Sequence, residues 1–330
     1  MYYYIESRST DPRRNLALEQ FVFDSLDRSH RYFMLWQNHD SVIVGKHQNT
    51  LAEIDAAFVE ARNISVVRRL SGGGAVYHDL GNLNYTFVAD AGNGGVNFAA
   101  FCLPVQEALV SFGVPAEISG RNDMAVMGKK FSGGAQYLRQ GRVMHHGTIL
   151  YDSDLDTLAR ALNAPNDKIE SRSIQSAWSR VCNIRPYMKT DMPVGDFWAA
   201  LKKYMFGAFD MREYVLSAEE NDAVEKLKEQ AYSQWSWNYG ASPPHNVRKT
   251  RRVEGCGSIE ILLDVGKEGI INNIAFYGDF FGNDDTAVLA ETLKGRHFEH
   301  GELAGAVQGM NISRFFHNLD AQTFLSLLFH

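Results

Sequence analysis

The chain has 330 residues, 45% of them hydrophobic, which is enough for a full-sized core and suits one large domain joined to a smaller one. A formal net charge of -6 argues against an extended nucleic-acid surface, while leaving room for a local basic pocket that holds an anionic small molecule. No uninterrupted apolar run of about 18 to 20 residues occurs, and Met1 to Arg14 carries tyrosines, an Asp-Pro pair and arginines instead of an apolar stretch, so no membrane span and a cytoplasmic location are expected.

In chain order, Asn15 to Leu26 sets Leu18, Val22 and Leu26 at i, i+4 and i+8 and predicts a helix buried on one side. Tyr32 to Gln37 and Ser41 to Val44 read as short strands separated by the turn-forming Asn38-His39-Asp40. Leu51 to Ala61 has an amphipathic helical pattern, Ile64 to Val67 is a β-branched strand, and Tyr77 to Val88 is a second strand broken near Leu80-Gly81-Asn82. Helices are expected at Phe98 to Phe112, despite its internal proline, and at Asp154 to Leu162. The irregular alternation of strands and helices favours an α+β arrangement with an antiparallel or mixed sheet over a doubly wound one.

After Leu216 the pattern changes. Ser217 to Ala231 is charged and helical, and Trp235 to Pro244 is rich in aromatic residues, glycine and proline. The pair Pro243-Pro244 resists helix and central strand alike, which suggests a junction and domains of 1–244 and 245–330. Beyond it, Gly257 to Val265 and Gly269 to Phe276 read as a hairpin, followed by helices at Thr286 to Leu293 and Glu302 to Met310 and by a terminal helix. Arg248 to Arg252 reads as a solvated domain boundary, and Trp235, Trp237, Tyr239 and Cys256 as packing residues.

The densest chemical signal is Arg68-Arg69-Leu70-Ser71-Gly72-Gly73-Gly74-Ala75-Val76-Tyr77-His78-Asp79. Three successive glycines permit positive φ and bring backbone N–H groups close to a bound anion, although tight turns beside a sheet use the same residues. The spacing fits neither G-x-x-x-x-G-K-[ST] nor G-x-G-x-x-G. Neighbours on an extended segment face opposite ways, so one of Arg68 and Arg69 can enter a pocket while the other supports the loop. A second segment runs Gly128-Lys129-Lys130-Phe131-Ser132-Gly133-Gly134 and is followed by His145-His146-Gly147-Thr148. A lysine ahead of small residues can set one ammonium against both a carboxylate and an α-phosphate, the charge pattern of acyl-adenylate formation; it can equally be a solvated surface charge. The paired histidines have no metal-ligand spacing, and Gly147 suggests close backbone packing.

These runs, together with Gly120-Arg121-Asn122-Asp123, occur in the order and at separations that resemble the lipoate-protein ligase family. The resemblance extends from Asn15-Leu16-Ala17 and Trp36 to Asn49 through Ser179-Arg180-Val181 to Gly278-Asp279-Phe280-Phe281, nearly the whole chain. It implies an α+β catalytic domain related to biotin ligases with a small α+β accessory domain behind it, and ATP-dependent activation of lipoate or octanoate followed by transfer to a lysine. It further implies that Lys130 contacts both acyl carboxylate and phosphate, and that Arg69, Gly74, Ala75, Val76 and Tyr77 bind the nucleotide. Ser71, Gly72 and Gly73 would shape the acyl tunnel, with Asn84 and His146 also on the substrate side. Asn84, Asn122 and Asp123 would lie near the phosphate and its Mg2+. The implied partners are lipoyl domains of 2-oxoacid dehydrogenase complexes or the glycine cleavage H protein, served by a monomer. Two positions depart from the family's familiar forms: Met127 stands before Gly128 in place of an acidic or polar residue, and Gly134 in place of serine or asparagine.

The rival enzyme is an acyl transferase working through a cysteine thioester without ATP, which needs an activated thiol. Cys102, Cys182 and Cys256 lie far apart, with none between Asn122 and Thr148, and reduced thiols are expected at all three. A binding protein with an idle site would keep many of the same residues. The glycine-arginine adenylate loop of biotin ligases is missing.

Overall fold

The computed structural model describes residues 1–91, 97–120, 122–162, 181–240, 246–266 and 269–329. Pro243-Pro244, Arg121, Ser179 and Arg180 lie outside the described residues. The chain divides into two units: Met1–Val44, Thr50–Arg69 and Ala75–Asn238 form the first, and Gly45–Asn49, Leu70–Gly74 and Tyr239–His330 the second.

In the first unit the strands are β1 (Tyr2–Glu6), β2 (Arg31–Trp36), β3 (Ser41–Val44), β4 (Ser65–Arg68), β5 (Val76–His78), β6 (Asn82–Asp90), β7 (Ala116–Ser119), β8 (Asp123–Val126), β9 (Lys129–Arg139), β10 (Arg142–Leu150) and β11 (Met211–Glu213). Its helices are α1 (Pro12–Ser25), α2 (Thr50–Glu53), α3 (Ala56–Ala61), α4 (Phe98–Ser111), α5 (Leu155–Ala161), α6 (Val194–Ala208), α7 (Ala218–Leu227) and α8 (Trp235–Asn238). An eight-stranded sheet runs β11-β1-β2-β6-β10-β9-β8-β7, with parallel pairs at the β1 end and antiparallel pairs elsewhere. A three-stranded sheet runs β4-β3-β5. This is the expected mixed α+β arrangement.

A cap explains where one expected helix divides, and a close approach explains a turn between strands. The single helix expected over Leu51 to Ala61 is two, because Asp55 accepts the Phe58 N–H at 3.0 Å and starts α3 afresh. The strand expected from Tyr77 to Val88 with a break near Leu80-Gly81-Asn82 does break there, into β5 and β6 of different sheets. At their turn, a Cβ on Gly81 would stand 2.1 Å from the Asp152 carbonyl oxygen, so only glycine lets the chain pass.

In the second unit β12 (Val247–Val253), β13 (Gly257–Val265) and β14 (Ile271–Gly278) form an antiparallel sheet. Three helices accompany it: α9 (Thr286–Leu293), α10 (His300–Val307) and α11 (Ala321–Phe329). Its core gathers Ile259, Ile261 and Leu263 with Phe276, Phe280, Phe316 and Phe324. Arg248 to Arg252, expected as a solvated domain boundary, lie within the edge strand β12 of the second unit and stay mostly exposed; an edge tolerates charge because its outer backbone groups stay with water. Trp235 is a further correction: it is 63% exposed instead of packed, whereas Cys256 is buried.

Candidate active site

Strand β6 sorts its side chains by alternation. Leu83, Tyr85 and Phe87 enter the apolar core beside Val105 and Leu109 of α4 and Phe197 and Leu201 of α6. Asn82, Asn84 and Thr86 therefore take the opposite face, where Asn84 stands between Trp36 of β2 and Thr148 of β10. Asn84 is 1% exposed, and its Oδ1 accepts from the Asn82 amide at 2.9 Å.

The lysine segment, expected as a turn, is the start of strand β9. Gly134 pairs with Gly147 of β10, and a Cβ at Gly147 would stand 2.4 Å from the Tyr85 ring and hydroxyl. The tyrosine thus lies across a strand that has no side chain, which is the close packing that Gly147 suggested. Gly134 is confined as well: its N–H donates to the Asn122 carbonyl at 2.7 Å, and a Cβ there would reach the His145 ring at 3.1 Å. Serine or asparagine at 134 would meet that ring, which accounts for the glycine.

Pairing between β8 and β9 slips by one residue, Met124 with Ser132 but Ala125 with Lys130, so Phe131 is the extra residue of a bulge. The bulge buries Phe131 completely and leaves Lys130 at the surface. The Lys130 ammonium lies 2.8 Å from Asp123 Oδ1, with its side chain 46% exposed. A Cβ at Gly133 would come 3.2 Å from Lys130 Nζ, so glycine at 133 leaves the ammonium its room. An ion pair exposed to this degree contributes about 0–1 kcal/mol, so Lys130 can leave Asp123 for a stronger anion at little cost.

A pocket of about 230 Å³ is lined by Ala75, Val76 and Tyr77 on one side and by Lys130, Ser132 and Gly133 on another, and reaches Thr148, Leu158, Leu162 and Val181. It brings together the exit of the glycine-rich segment and the lysine. Thr148, whose hydroxyl accepts the Gly133 N–H at 3.2 Å, was quoted in a motif but given no role by the sequence. Leu158 and Leu162 carried no signal beyond ordinary helix periodicity.

Arg69 and His146 belong to a buried polar group on the same unit. The Arg69 guanidinium donates to the Ile43 carbonyl at 3.0 Å. Burial lowers it to about 10, against the opposing pull of Glu19, so it remains a cation at neutral pH. His146 Nδ1 lies 3.0 Å from Glu19 Oε1, which also accepts the Thr86 hydroxyl at 2.5 Å, and Trp36 Nε1 donates to that hydroxyl oxygen at 2.9 Å. Glu19 was missed by sequence reasoning, although a carboxylate set between Leu16-Ala17-Leu18 and Phe21-Val22-Phe23 is a detectable anomaly in an otherwise apolar helix face.

Ser71, Gly72, Gly73 and Gly74 belong to the second unit. There Gly73 has φ of 89° and donates to the Phe280 carbonyl, and a Cβ at Gly72 would stand 2.2 Å from that carbonyl oxygen. In the same unit the His47 ring stacks on Phe280 at 4.6 Å and its carbonyl accepts the Gly278 N–H at 2.8 Å. Two of the three glycines are thus required by packing and backbone angle, while Gly74 faces open space.

Asn122 donates through Nδ2 to the Gly134 carbonyl at 2.6 Å, and Asp123 is the carboxylate beside Lys130. Among the described residues no three His, Cys, Asp or Glu side chains converge as metal ligands. One carboxylate fits Mg2+ held chiefly by substrate phosphates and water, the usual manner for that ion.

Burial pushes both His78 and His145 down to about 3, with His146 opposing the charged form of each and Arg69 that of His78. Both are neutral in the fold, whereas an unfolded histidine takes its proton near pH 6.5. Between these values the unfolded chain binds more protons, so stability falls as pH is lowered from about 6.5 toward about 3. We expect a loss of about 3 kcal/mol per histidine at about pH 4. Thermal unfolding followed from about pH 7.5 to about pH 4 checks it; a midpoint equally steep in pH after His145→Asn would contradict the assignment to that ring.

The family model described as "Lipoyl protein ligase A/B catalytic domain" matches residues 11–206, and that of the "Bacterial lipoate protein ligase C-terminus" matches 242–328. Lipoate-protein ligase LplJ of Bacillus subtilis is 41% identical over 323 residues, covering 97% of each chain. The structure of Plasmodium falciparum LipL1 in complex with lipoate superposes with a TM-score of 0.80 at 23% identity, covering 99% of this chain and 97% of that one, and so shows the shared fold. A bipartite lipoate protein ligase of Thermoplasma acidophilum, solved in a study of that ligase and its E2 lipoyl domain, gives a TM-score of 0.66 at 26% identity over 74% of this chain and 98% of its own.

Proposed function

The chain belongs to the lipoate-protein ligase family, and from that premise we propose how its residues divide the two-step reaction. The enzyme activates lipoate with ATP and transfers the acyl group to a lysine of a lipoyl-domain protein. In the first step a carboxylate oxygen attacks the α-phosphorus and pyrophosphate leaves. In the second, the acceptor amine attacks the carbonyl of the mixed anhydride, AMP leaves, and the amine gives up a proton as the amide forms.

The observation that carries the assignment is the shared pocket of Ala75–Tyr77 and Lys130. Lys130 takes the contact with both carboxylate and α-phosphate, exchanging Asp123 for these anions, and so offsets charge that builds on the phosphoryl oxygens. Ala75, Val76 and Tyr77 border the nucleotide and Arg69 supplies a fixed cation, while Asn84 and His146 lie toward the acyl chain. Asp123 and Asn122 are the side chains that would hold a Mg2+ ion, which would supply positive charge to the phosphates. Octanoate is accepted as an alternative acid, and the acceptors are lipoyl domains of 2-oxoacid dehydrogenase complexes or the glycine cleavage H protein, met in the cytoplasm by a monomer.

A cysteine-thioester route finds no support in the thiols. Burial pushes Cys102 up to about 11 and raises Cys182, whose N–H is spent on the Lys130 carbonyl. The test is pyrophosphate release from MgATP with lipoate or octanoate and no acceptor present. Release dependent on the acid supports the reading; acyl transfer from a carrier protein at equal rate with and without ATP would sink it.

A further inference from the structure

We propose that the tip of the β8–β9 hairpin, with Met127 at its apex, is a contact for the folded acceptor domain during acyl transfer; the proposal rests on the ligase reading of Lys130. Val126 pairs with Lys129, so Met127 and Gly128 form a two-residue connection, and both have positive φ, 48° and 76°. A turn of this kind strongly prefers Asn-Gly, because a larger side chain in the left-handed region crowds its own carbonyl. Among the described residues the other non-glycine positions with positive φ are Asn63, Gln140 and Asn318, all polar; Met127 is the apolar one.

The same residue is 77% exposed. The position therefore has neither the residue that the turn favours nor the one that water favours. Methionine is unbranched and polarizable, and adapts to partner surfaces of varied shape. Strain of this sort tends to persist where a segment works in binding or catalysis.

Position supplies the occupant. Met127 lies three residues before Lys130 on the same hairpin, so at most about 10 Å from it. An acceptor lysine that reaches the adenylate beside Lys130 brings its own Cα within about 8 Å of the reacting carbonyl, the length of four side-chain carbons, the nitrogen and the forming bond. A folded domain with a radius of gyration of about 13 Å cannot approach so near without covering the hairpin tip. The matching surface on the acceptor is an apolar patch beside its lysine.

Met127→Asn is the direct test, because it gives the turn its preferred residue and should leave the thermal midpoint equal or higher. Adenylation, read as acid-dependent pyrophosphate release without acceptor, is expected to stay at the parental rate. The KM for the acceptor domain should rise roughly five- to tenfold, as for loss of a moderate interface contact. An unchanged acceptor KM would overturn the proposal, and so would an equal fall in adenylation and transfer, which would place the tip in the chemical step. Failure of the ligase reading is seen separately, as absence of adenylation by the parent protein.

Discussion

Lys130→Ala is expected to lower the rate of acyl-adenylate formation by about two to three powers of ten while leaving the fold unchanged. The energetic reasoning starts from exposure. With its side chain 46% exposed and paired, among the described residues, with the partly exposed Asp123, Lys130 contributes little to stability, and its truncation should alter unfolding by no more than about 0.5 kcal/mol. Its value lies in the transition state, where charge moves onto phosphoryl oxygens and a fixed ammonium beside them is already oriented. Lys129→Ala should adenylate at the parental rate, since only Lys130 both lines the pocket and pairs with Asp123. Single-turnover formation of acyl-AMP, measured alongside thermal unfolding, separates the two variants. Equal rates for Lys130→Ala and the parent would remove this lysine from the mechanism.

A large loss of stability from a single methyl group is expected at Gly147→Ala. Its Cβ would stand 2.4 Å from Tyr85, whose ring is fully buried, so either the ring or strand β10 must move. Overpacking of this kind costs about 1–3 kcal/mol, and since strand and ring both resist we expect the upper end, roughly 3 kcal/mol and a midpoint lowered by about 6–12 °C. Gly147 faces Gly134, so displacement of β10 carries into the strand that bears Lys130, and adenylation should fall with stability. A second substitution, Tyr85→Leu, should recover part of the midpoint by vacating the space. If Gly147→Ala melted with the parent, the tyrosine would not be the constraint we describe.

Much of this organisation is visible in the residues themselves. Hydrophobic periodicity marks α1, and β-branched runs mark β3 and β4, because single-element burial leaves a local repeat. The order of the arginine-glycine run, Asn122-Asp123, Lys130 and His145 to Thr148 suffices for the family resemblance. The strand character of Lys129 to Gly134 is not locally legible: small residues there look like a turn, whereas Gly134 is small because of the His145 ring on the neighbouring strand and Gly133 because it leaves room for the Lys130 ammonium. For the same reason nothing near Gly72 announces the Phe280 carbonyl, more than two hundred residues away, that excludes a side chain at that position. Glu19 and Thr86 likewise acquire meaning only when helix and strand meet. The cations of β12 mark it as solvated but give no sign of a strand, although solvent is what the rim of a sheet faces.

The three thiols have a practical consequence for labelling. Cys102, Cys182 and Cys256 are all buried, and at neutral pH a thiol lifted to about 11, as Cys102 is, holds only about one part in ten thousand as the reactive thiolate. Alkylating dyes need that anion and a path to it. The native chain is in this sense chemically quiet, and a cysteine placed at an exposed site could carry a fluorophore without first stripping out the natural ones. Encounter with the acceptor could then be timed in the unaltered core, with the two half-reactions followed on one labelled molecule.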